Sequence, residues 1–264
     1  MLDEIIKSLL GKSKKFKTGL VLSGGGTRGF AHLGAIMALE EQGIKADIIA
    51  GVSAGSIVGA FYAAGYEPEK LFHYFKKKGI FSLSKFNVPT TGLLALSGLE
   101  MEIREKIPQE NIEELPLPFL VGISNFSLGR IEYHMHGNIA LKVRASSSIP
   151  VLFTPVKIDE SWYVDGGLYD NLPIEPLRSH CERIIAINVN PIKEVNKFRN
   201  LKEVAIRTFH LTVDARIQQV KPLADILIEP LELADYEILD SSKAEEMFEI
   251  GYRSAKEKLE KADI

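Results

Sequence analysis

Residues 19–43 read GLVLSGGGTRGFAHLGAIMALEEQG, and this stretch decides the fold class. An apolar run ends in glycines and then changes to a helical pattern, which is how a strand-turn-helix unit of an α/β protein begins. Gly24, Gly26 and Gly29 also satisfy G-x-G-x-x-G, the spacing of dinucleotide-binding loops. The first question is therefore which negatively charged group this loop holds.

The next strand-helix unit argues against a dinucleotide. Such a site needs a carboxylate about 20 residues further on, at the end of the second strand. Here the second apolar strand, residues 47–51, is followed by Ser53. Residues 51–55, GVSAG, match G-x-S-x-G, in which small residues permit a sharp turn that projects the serine hydroxyl. Neighbouring parallel strands end at one edge of a sheet, so we expect the two motifs to meet there.

We interpret Ser53 as a nucleophile and the glycine loop as its oxyanion hole. Amides at a helix N-terminus suit the oxyanion of an acyl intermediate as well as they suit a phosphate. Arg28 has two interpretations. In the first it orients the loop or adds positive charge to it, and in the second it is a solvated surface arginine. The loop residues are Gly24, Gly25, Gly26, Thr27, Arg28 and Gly29, and the turn around the serine uses Gly51 and Gly55.

A serine nucleophile needs a base, and the chain offers two kinds. Of its six histidines, His210 is the best conventional candidate. Asp165 is the stronger candidate, because it follows an apolar strand and precedes Gly166-Gly167, a turn that brings a carboxylate close to another loop. Asp170 and Asn171 fit a turn-capping role instead. His134 and His136 have the spacing of half a metal site but no visible partner, so we expect no metal and no cofactor.

Along the chain, strands alternate with amphipathic helices, as in an α/β domain. Residues 48–66 lack charge, yet we interpret them as strand, turn and small-residue helix and not as a membrane span. Residues 80–100 have no clear period and predict a mobile cap whose apolar side chains partly face the site. Further elements are two hairpins, at 118–136 and 154–167, a strand at 183–190, and helices at 137–147, 201–220 and 243–261.

Three motifs, GGGTRG at 24–29, GVSAG at 51–55 and DGG at 165–167, together resemble a bacterial patatin-like phospholipase. RASSSIPVLFTPV at 144–156 and two stretches near the C-terminus are also similar to stand-alone bacterial members. The resemblance covers the chain from about residue 17 and implies a three-layer α/β/α fold with a mainly parallel central sheet. It implies a Ser-Asp dyad, with Ser53 as nucleophile, Asp165 as proton acceptor and amides around Gly25, Gly26 and Thr27 as oxyanion donors.

The resemblance assigns residues 17–264 to an acyl hydrolase domain, and the helical spacing of leucines and isoleucines among lysines predicts an amphipathic basic helix over residues 1–16. This helix either lies on an anionic membrane or packs its leucines on the domain. The formal net charge of −3 argues against nucleic acid as a partner. A single cysteine, Cys181, excludes an internal disulfide and is typical of a reduced, cytoplasmic protein. Peripheral contact with the inner membrane face is the further possibility, and oligomeric state is not predicted.

The leading hypothesis is a serine lipid acyl hydrolase acting on phospholipid, lysophospholipid or a simpler ester. An acyltransferase would share the acyl-enzyme and differ in the acceptor that removes the acyl group. A regulatory binding module would keep the fold without turnover, and the presence of both Ser53 and Asp165 counts against it. A conventional α/β-hydrolase that uses His210 as its base is the fourth hypothesis.

Overall fold

The fold is built on one mixed sheet of eight strands, in a computed structural model that describes residues 16–78, 85–86 and 94–262. The strands are β1 (Phe16–Leu22), β2 (Ile48–Gly51), β5 (Phe119–Asn125), β6 (Arg130–His134), β7 (Val156–Ile158), β8 (Ser161–Asp165), β9 (Cys181–Ile187) and β10 (Ile226–Ile228). Two short strands, β3 (Lys85–Phe86) and β4 (Leu94–Ala95), pair separately.

The described helices are α1 (Phe30–Glu41), α2 (Ala54–Ala63), α3 (Pro68–Lys78), α4 (Ser97–Lys106), α5 (Ile139–Ser146), α6 (Glu175–Arg178), α7 (Leu201–Val220) and α8 (Ala244–Lys261). Their order confirms the alternation read from the sequence, and most boundaries differ from it by one or two residues. In the described part of the chain, none of these helices is both long and apolar enough to span a bilayer.

The sheet runs in the order β10, β9, β1, β2, β5, β8, β7, and β6 also pairs with β5. β10, β9, β1, β2 and β5 are parallel. Apolar side chains lie on both faces of the central strands, as parallel sheets between two helix layers require. In β1, Leu20 and Leu22 pack in one core with α1, α2 and α8, whereas Val21 packs in the other with α7. This is the three-layer α/β/α architecture that the resemblance implied.

Strand pairing along β5 sets the position of the site. Gly51, the last residue of β2, lies opposite Val121, and β2 ends there. β8 then pairs antiparallel with β5, with Asp165 opposite Ile123. β6 pairs with these same residues of β5, so it occupies the other edge. β2 and β8 therefore meet nearly end to end on one edge of β5, and the residues that follow them are neighbours.

Two predicted segments fall largely outside the described residues. Of the N-terminal helix predicted over 1–16, only Phe16 is described, and it begins β1 instead. Of the cap predicted over 80–100, residues 85–86 and 94–100 are described. In these parts β3 and β4 form a two-stranded ribbon, and α4 begins at Ser97. Regular structure within this segment was not expected from its aperiodic sequence.

Candidate active site

Ser53 lies in a sharp turn between β2 and α2. Its backbone has φ 51° and ψ −122°, a strained conformation for a residue with a side chain. The turn is tight enough that a Cβ on Gly51 would stand 2.4 Å from the Gly55 carbonyl oxygen. A Cβ on Gly55 would stand 2.2 Å from the carbonyl oxygen of Leu22. The G-x-S-x-G pattern is thus a steric requirement of this turn.

A serine cluster at the C-terminal end of α5, residues 146–148, holds the turn in place. The Ser53 amide donates to Ser146 Oγ at 2.9 Å, and the Ser146 hydroxyl donates to the Gly122 carbonyl at 2.8 Å. Ser148 accepts, through its carbonyl, a 2.9 Å bond from the Asp165 amide. From the sequence, these serines belonged only to the family-like stretch at 144–156, and no role was predicted for them. Their repetition in SSS at 146–148 was the available signal.

Asp165 is completely buried and points one oxygen into the site. Its Oδ1 accepts a 2.8 Å hydrogen bond from the Gly167 amide, which caps the short 3₁₀ turn Gly166–Leu168. Its Oδ2 is buried without a well-aligned hydrogen-bond partner among the described residues. Burial raises the pKa of Asp165 to about 7, and the nearby Ser53 hydroxyl and the Gly167 amide oppose that rise. The carboxylate is therefore a far stronger base than a free aspartate.

The glycine loop continues β1 into α1 through a 3₁₀ turn at Gly26–Gly29. Its amides have different partners. The Gly24 amide donates to the Asn171 carbonyl at 3.1 Å, and the Thr27 amide donates to the Ile238 carbonyl at 2.8 Å. Thr27, expected as an oxyanion donor, thus has its amide engaged elsewhere. Among the described residues, the Gly25 and Gly26 amides have no backbone acceptor, so these two are open to a ligand.

Arg28 is a buried anchor, and the surface interpretation is excluded because only 6% of the residue is exposed. Its Nε and Nη2 donate to the Tyr236 carbonyl at 2.9 and 2.7 Å. Its Nη1 donates to Asn190 Oδ1 and to the Pro191 carbonyl, both at 3.2 Å. Burial lowers the pKa of Arg28 to about 10, against the raising effect of Asp235. The guanidinium therefore ties the glycine loop to the segments that follow β9 and β10.

The three predicted motifs line one small cavity. Its lining comprises Gly24, Gly25, Gly26, Ser53, Ile149, Asp165, Asn171, Asn190, His210 and Ile238. Asn171 does more than the turn capping expected of it, because its side chain also donates to the Gly24 carbonyl at 3.2 Å. Asn190 and Ile238 were not singled out from the sequence, since neither belongs to a motif. The cavity thus brings together a hydroxyl, a carboxylate and the backbone amides of Gly25 and Gly26, and these are the chemical groups that acyl transfer requires.

Two histidines approach this region, and burial keeps both weakly basic. His210 reaches the cavity from α7, and burial, with Arg28 and Arg207 nearby, lowers its pKa to about 4. His32 is fully buried in α1 and its Nε2 lies 2.8 Å from the Ser23 carbonyl. Burial lowers the pKa of His32 to about 4, so the ring is neutral and donates this bond.

The other histidine candidates lie away from the site. His134, on β6, has its Nδ1 2.9 Å from Lys142 Nζ and faces Glu132. His136 lies near Glu113, with 3.9 Å between Nδ1 and Oε1. Within the described ranges, no group of three or more His, Cys, Asp or Glu side chains has metal-site geometry.

Comparison with known families matches residues 20–178 to the model of the patatin-like phospholipases. This match spans more than half of the chain and contains all three motifs. The chain belongs to the patatin-like phospholipase family. The family resemblance drawn from the motifs is therefore confirmed, together with the α/β fold that it implied.

Curated relatives of this patatin-like chain include two fungal lysophospholipases. Lysophospholipase NTE1 of Saccharomyces cerevisiae is 29% identical over 265 residues, covering 88% of this chain and 16% of that protein. Lysophospholipase nte1 of Aspergillus fumigatus is 30% identical over 275 residues, covering 92% and 18%. The chain thus corresponds to less than a fifth of the length of these relatives.

Among solved structures, VipD from Legionella pneumophila is similar to the patatin-like chain in fold. The TM-score is 0.53 at 16% sequence identity, and the similarity covers 94% of this chain and 67% of VipD. At this level of identity the similarity supports the architecture alone.

Proposed function

We propose that this patatin-like chain is a serine lipid acyl hydrolase, with Ser53 as nucleophile and Asp165 as the sole side-chain base. The observation that supports this most directly is the buried Asp165 carboxylate, whose Oδ2 has no well-aligned partner in the described structure and which lines the same cavity as Ser53. An unpaired buried carboxylate is destabilising, so its presence beside a strained serine is typical of a functional site.

The first half of the cycle makes an acyl-enzyme. Ser53 Oγ attacks the ester carbonyl carbon while its proton passes to Asp165 Oδ2, and the carbonyl electron pair moves to the oxygen. The Gly25 and Gly26 amides donate to this oxyanion, and each such donor typically contributes about 3–4 kcal/mol of transition-state stabilisation. The intermediate collapses by breaking the ester C–O bond, and the departing alcohol takes the proton from Asp165.

The second half returns the enzyme to its starting state. A water molecule attacks the acyl carbon, and Asp165 accepts its proton. The Ser53 ester bond then breaks, the fatty acid leaves, and Ser53 Oγ recovers the proton from Asp165. In an acyltransferase the same acyl-enzyme forms and another alcohol or a thiol replaces this water.

Asp165 suits the role of base better than His210. An effective base has a pKa near the working pH, and burial places the Asp165 pKa at about 7. The His210 pKa lies at about 4 because of its own burial, so this imidazole holds a proton poorly. The conventional hydrolase with a histidine base is therefore the weaker hypothesis.

Lipid esters are the substrate class that the relatives support, because their names describe lysophospholipases. The proposal does not specify the lipid head group or which acyl chain is cleaved. A cytoplasmic location with peripheral membrane contact also stays a prediction, based on the lone Cys181 and the basic N-terminal residues. The binding-module hypothesis is disfavoured because Ser53, Asp165 and the two glycines whose amides lack a backbone acceptor among the described residues, Gly25 and Gly26, line one cavity.

Reaction with a fluorophosphonate ester, followed by intact mass, tests the proposal. The wild type should gain one adduct, and Ser53→Ala should gain none. Asp165→Asn should react at least about 100-fold more slowly than the wild type, as loss of general-base catalysis predicts. His210→Ala should react like the wild type. A folded wild type that takes no adduct would contradict the proposal and favour a binding module. Product analysis with an added alcohol then separates hydrolase from transferase.

A further inference from the structure

A segment beside the active site carries exposed apolar and basic side chains in alternation. We define it as residues 193–204 and call it the apolar-basic segment. Its apolar members recur at every third position and are all exposed, at 38% for Val195, 45% for Phe198, 83% for Leu201 and 41% for Val204. Four apolar side chains within ten residues are therefore available for contact with an apolar environment.

The charge of the segment is opposite to that of the whole chain. The segment has four basic residues, Lys193, Lys197, Arg199 and Lys202, against Glu194 and Glu203, which is a formal charge of +2, whereas the chain carries a formal net charge of −3. Lys197 and Arg199 are exposed, and neither forms an ion pair with a described carboxylate. The next carboxylate, Glu203, accepts a 2.8 Å hydrogen bond from the Arg199 amide at the start of α7. Positive charge is therefore left unneutralised between the apolar side chains.

The chain on either side of the segment reaches the cavity of the candidate site. Asn190, just before it, lines the cavity and accepts a hydrogen bond from Arg28. His210, shortly after it on α7, lines the same cavity. The cavity measures about 260 Å³ with its open mouth included, which is small for a complete phospholipid. Whatever surface contacts the segment is consequently brought close to the catalytic serine.

We propose that the apolar-basic segment docks on an anionic phospholipid bilayer and presents the cavity to it. In this arrangement Phe198 and Leu201 enter the acyl boundary, while Lys197 and Arg199 contact lipid phosphates. A protein partner fits less well, because the basic residues interrupt the apolar side chains and leave no continuous apolar face. This inference rests on the proposed function, because docking on a bilayer would bring the enzyme to its lipid substrate. The binding itself does not require turnover.

Flotation of the full chain with lipid vesicles tests the docking. Phosphatidylcholine vesicles with and without phosphatidylglycerol separate electrostatic from apolar contact. Lys197→Glu with Arg199→Glu should lower partition onto anionic vesicles roughly tenfold or more, because each basic residue near such a surface contributes measurably. Phe198→Ser with Leu201→Ser should lower partition onto both kinds of vesicle.

A matched control is Lys258→Glu with Lys261→Glu in the last turn of α8. Both lysines are exposed. Lys256, just before them in α8, has its Nζ 4.0 Å from Glu41, which is the last residue of α1. The glycine loop precedes the other end of α1, so the control lysines lie away from the candidate site. This variant should float like the wild type. All variants should hydrolyse a water-soluble short-chain ester at the wild-type rate.

Three results would overturn the docking proposal. In the first, the wild type fails to float with anionic vesicles. In the second, both segment variants float as well as the wild type, which would assign the contact to another part of the chain. In the third, light scattering shows a dimer that Phe198→Ser with Leu201→Ser dissociates, which would assign the surface to a second copy. Ser53→Ala should float normally, so vesicle binding without fluorophosphonate labelling would remove the proposed function and leave the docking intact.

Discussion

Gly24 and Asn171 hydrogen-bond to each other in both directions across a sequence separation of 147 residues. The Gly24 amide donates to the Asn171 carbonyl at 3.1 Å, and Asn171 Nδ2 donates to the Gly24 carbonyl at 3.2 Å. This pair joins the glycine loop to the turn that holds Asp165. The contact thus constrains the distance between the glycine loop and Asp165, the proposed base.

Gly24→Ala should break this join. A Cβ on Gly24 would stand 2.3 Å from Asn171 Oδ1 and 3.0 Å from the Ser53 Cβ. We expect kcat/KM for a soluble ester to fall roughly 100-fold or more, because misplaced oxyanion donors lose most of their effect. Gly43→Ala is the control: alanine is strained at its φ of +71°, but a Cβ there meets nothing within 4 Å. Equal activity in the two variants would contradict the role given to Gly24.

The pH dependence of turnover should report Asp165. The base must be ionised, and its pKa is about 7 because of burial, so kcat/KM should rise with pH through about 7 and level off above it. A stopped assay with a soluble ester across this range measures the rising limb. The limb should persist in His210→Ala. A rising limb near the ordinary aspartate pKa of about 4 would argue against this environment.

Asp165→Asn should stabilise the protein most at high pH. The folded pKa lies above the unfolded value of 3.8, so the stabilising contribution of Asp165 is complete below pH 3.8 and is lost as pH rises through about 7. Above that pH the native state holds an ionised buried carboxylate, which asparagine avoids. The difference in unfolding free energy, variant minus wild type, should therefore be larger at about pH 9 than at about pH 5, by about 2–3 kcal/mol.

Urea denaturation at both pH values measures this difference. Glu257→Gln, which removes a carboxylate at an exposed position of α8, is measured beside it as the control. A difference that is the same at both pH values would mean that the Asp165 carboxyl is not destabilised by burial.

Arg28→Lys should weaken both stability and turnover. Lysine keeps the charge but cannot reproduce the forked contacts with the carbonyls of Tyr236 and Pro191. We expect a loss of about 2–4 kcal/mol in unfolding free energy and a roughly tenfold lower kcat. The control is Arg104→Lys, whose exposed pair with Glu100 should contribute at most about 0.5 kcal/mol. An Arg28→Lys protein as stable as the control would contradict the anchoring role.

His210→Ala distinguishes the dyad from a conventional triad. The imidazole lines the cavity but has a low pKa because of burial, so turnover of a soluble ester should stay within about threefold of wild type. Loss of a catalytic base would instead lower the rate by at least about 100-fold. The initial hydrolysis rate at saturating substrate, measured beside Asp165→Asn, gives the comparison.

Local patterns predicted much of the fold and the centre of the candidate site. The alternation of strands and helices is set by hydrophobic periodicity, which acts within each segment. Ser53 and the glycine loop were found because steric demands on adjacent residues leave a motif, as the contacts of Gly51 and Gly55 show. The sequence could not choose between the two interpretations of Arg28, because burial depends on what packs over the side chain.

The sequence by itself determined most of the elements, the motifs and the family, since these follow from neighbouring residues. Tertiary structure alone decided which amides of the glycine loop lack a backbone acceptor and how far burial raises the pKa of Asp165. The Thr27 amide is engaged by Ile238, and the Ser53 amide is held by Ser146, both through contacts between distant segments. The raised pKa of Asp165 likewise arises from burial at the meeting of β2 and β8 on β5. Desolvation is a property of the assembled surroundings, so no local pattern encodes it.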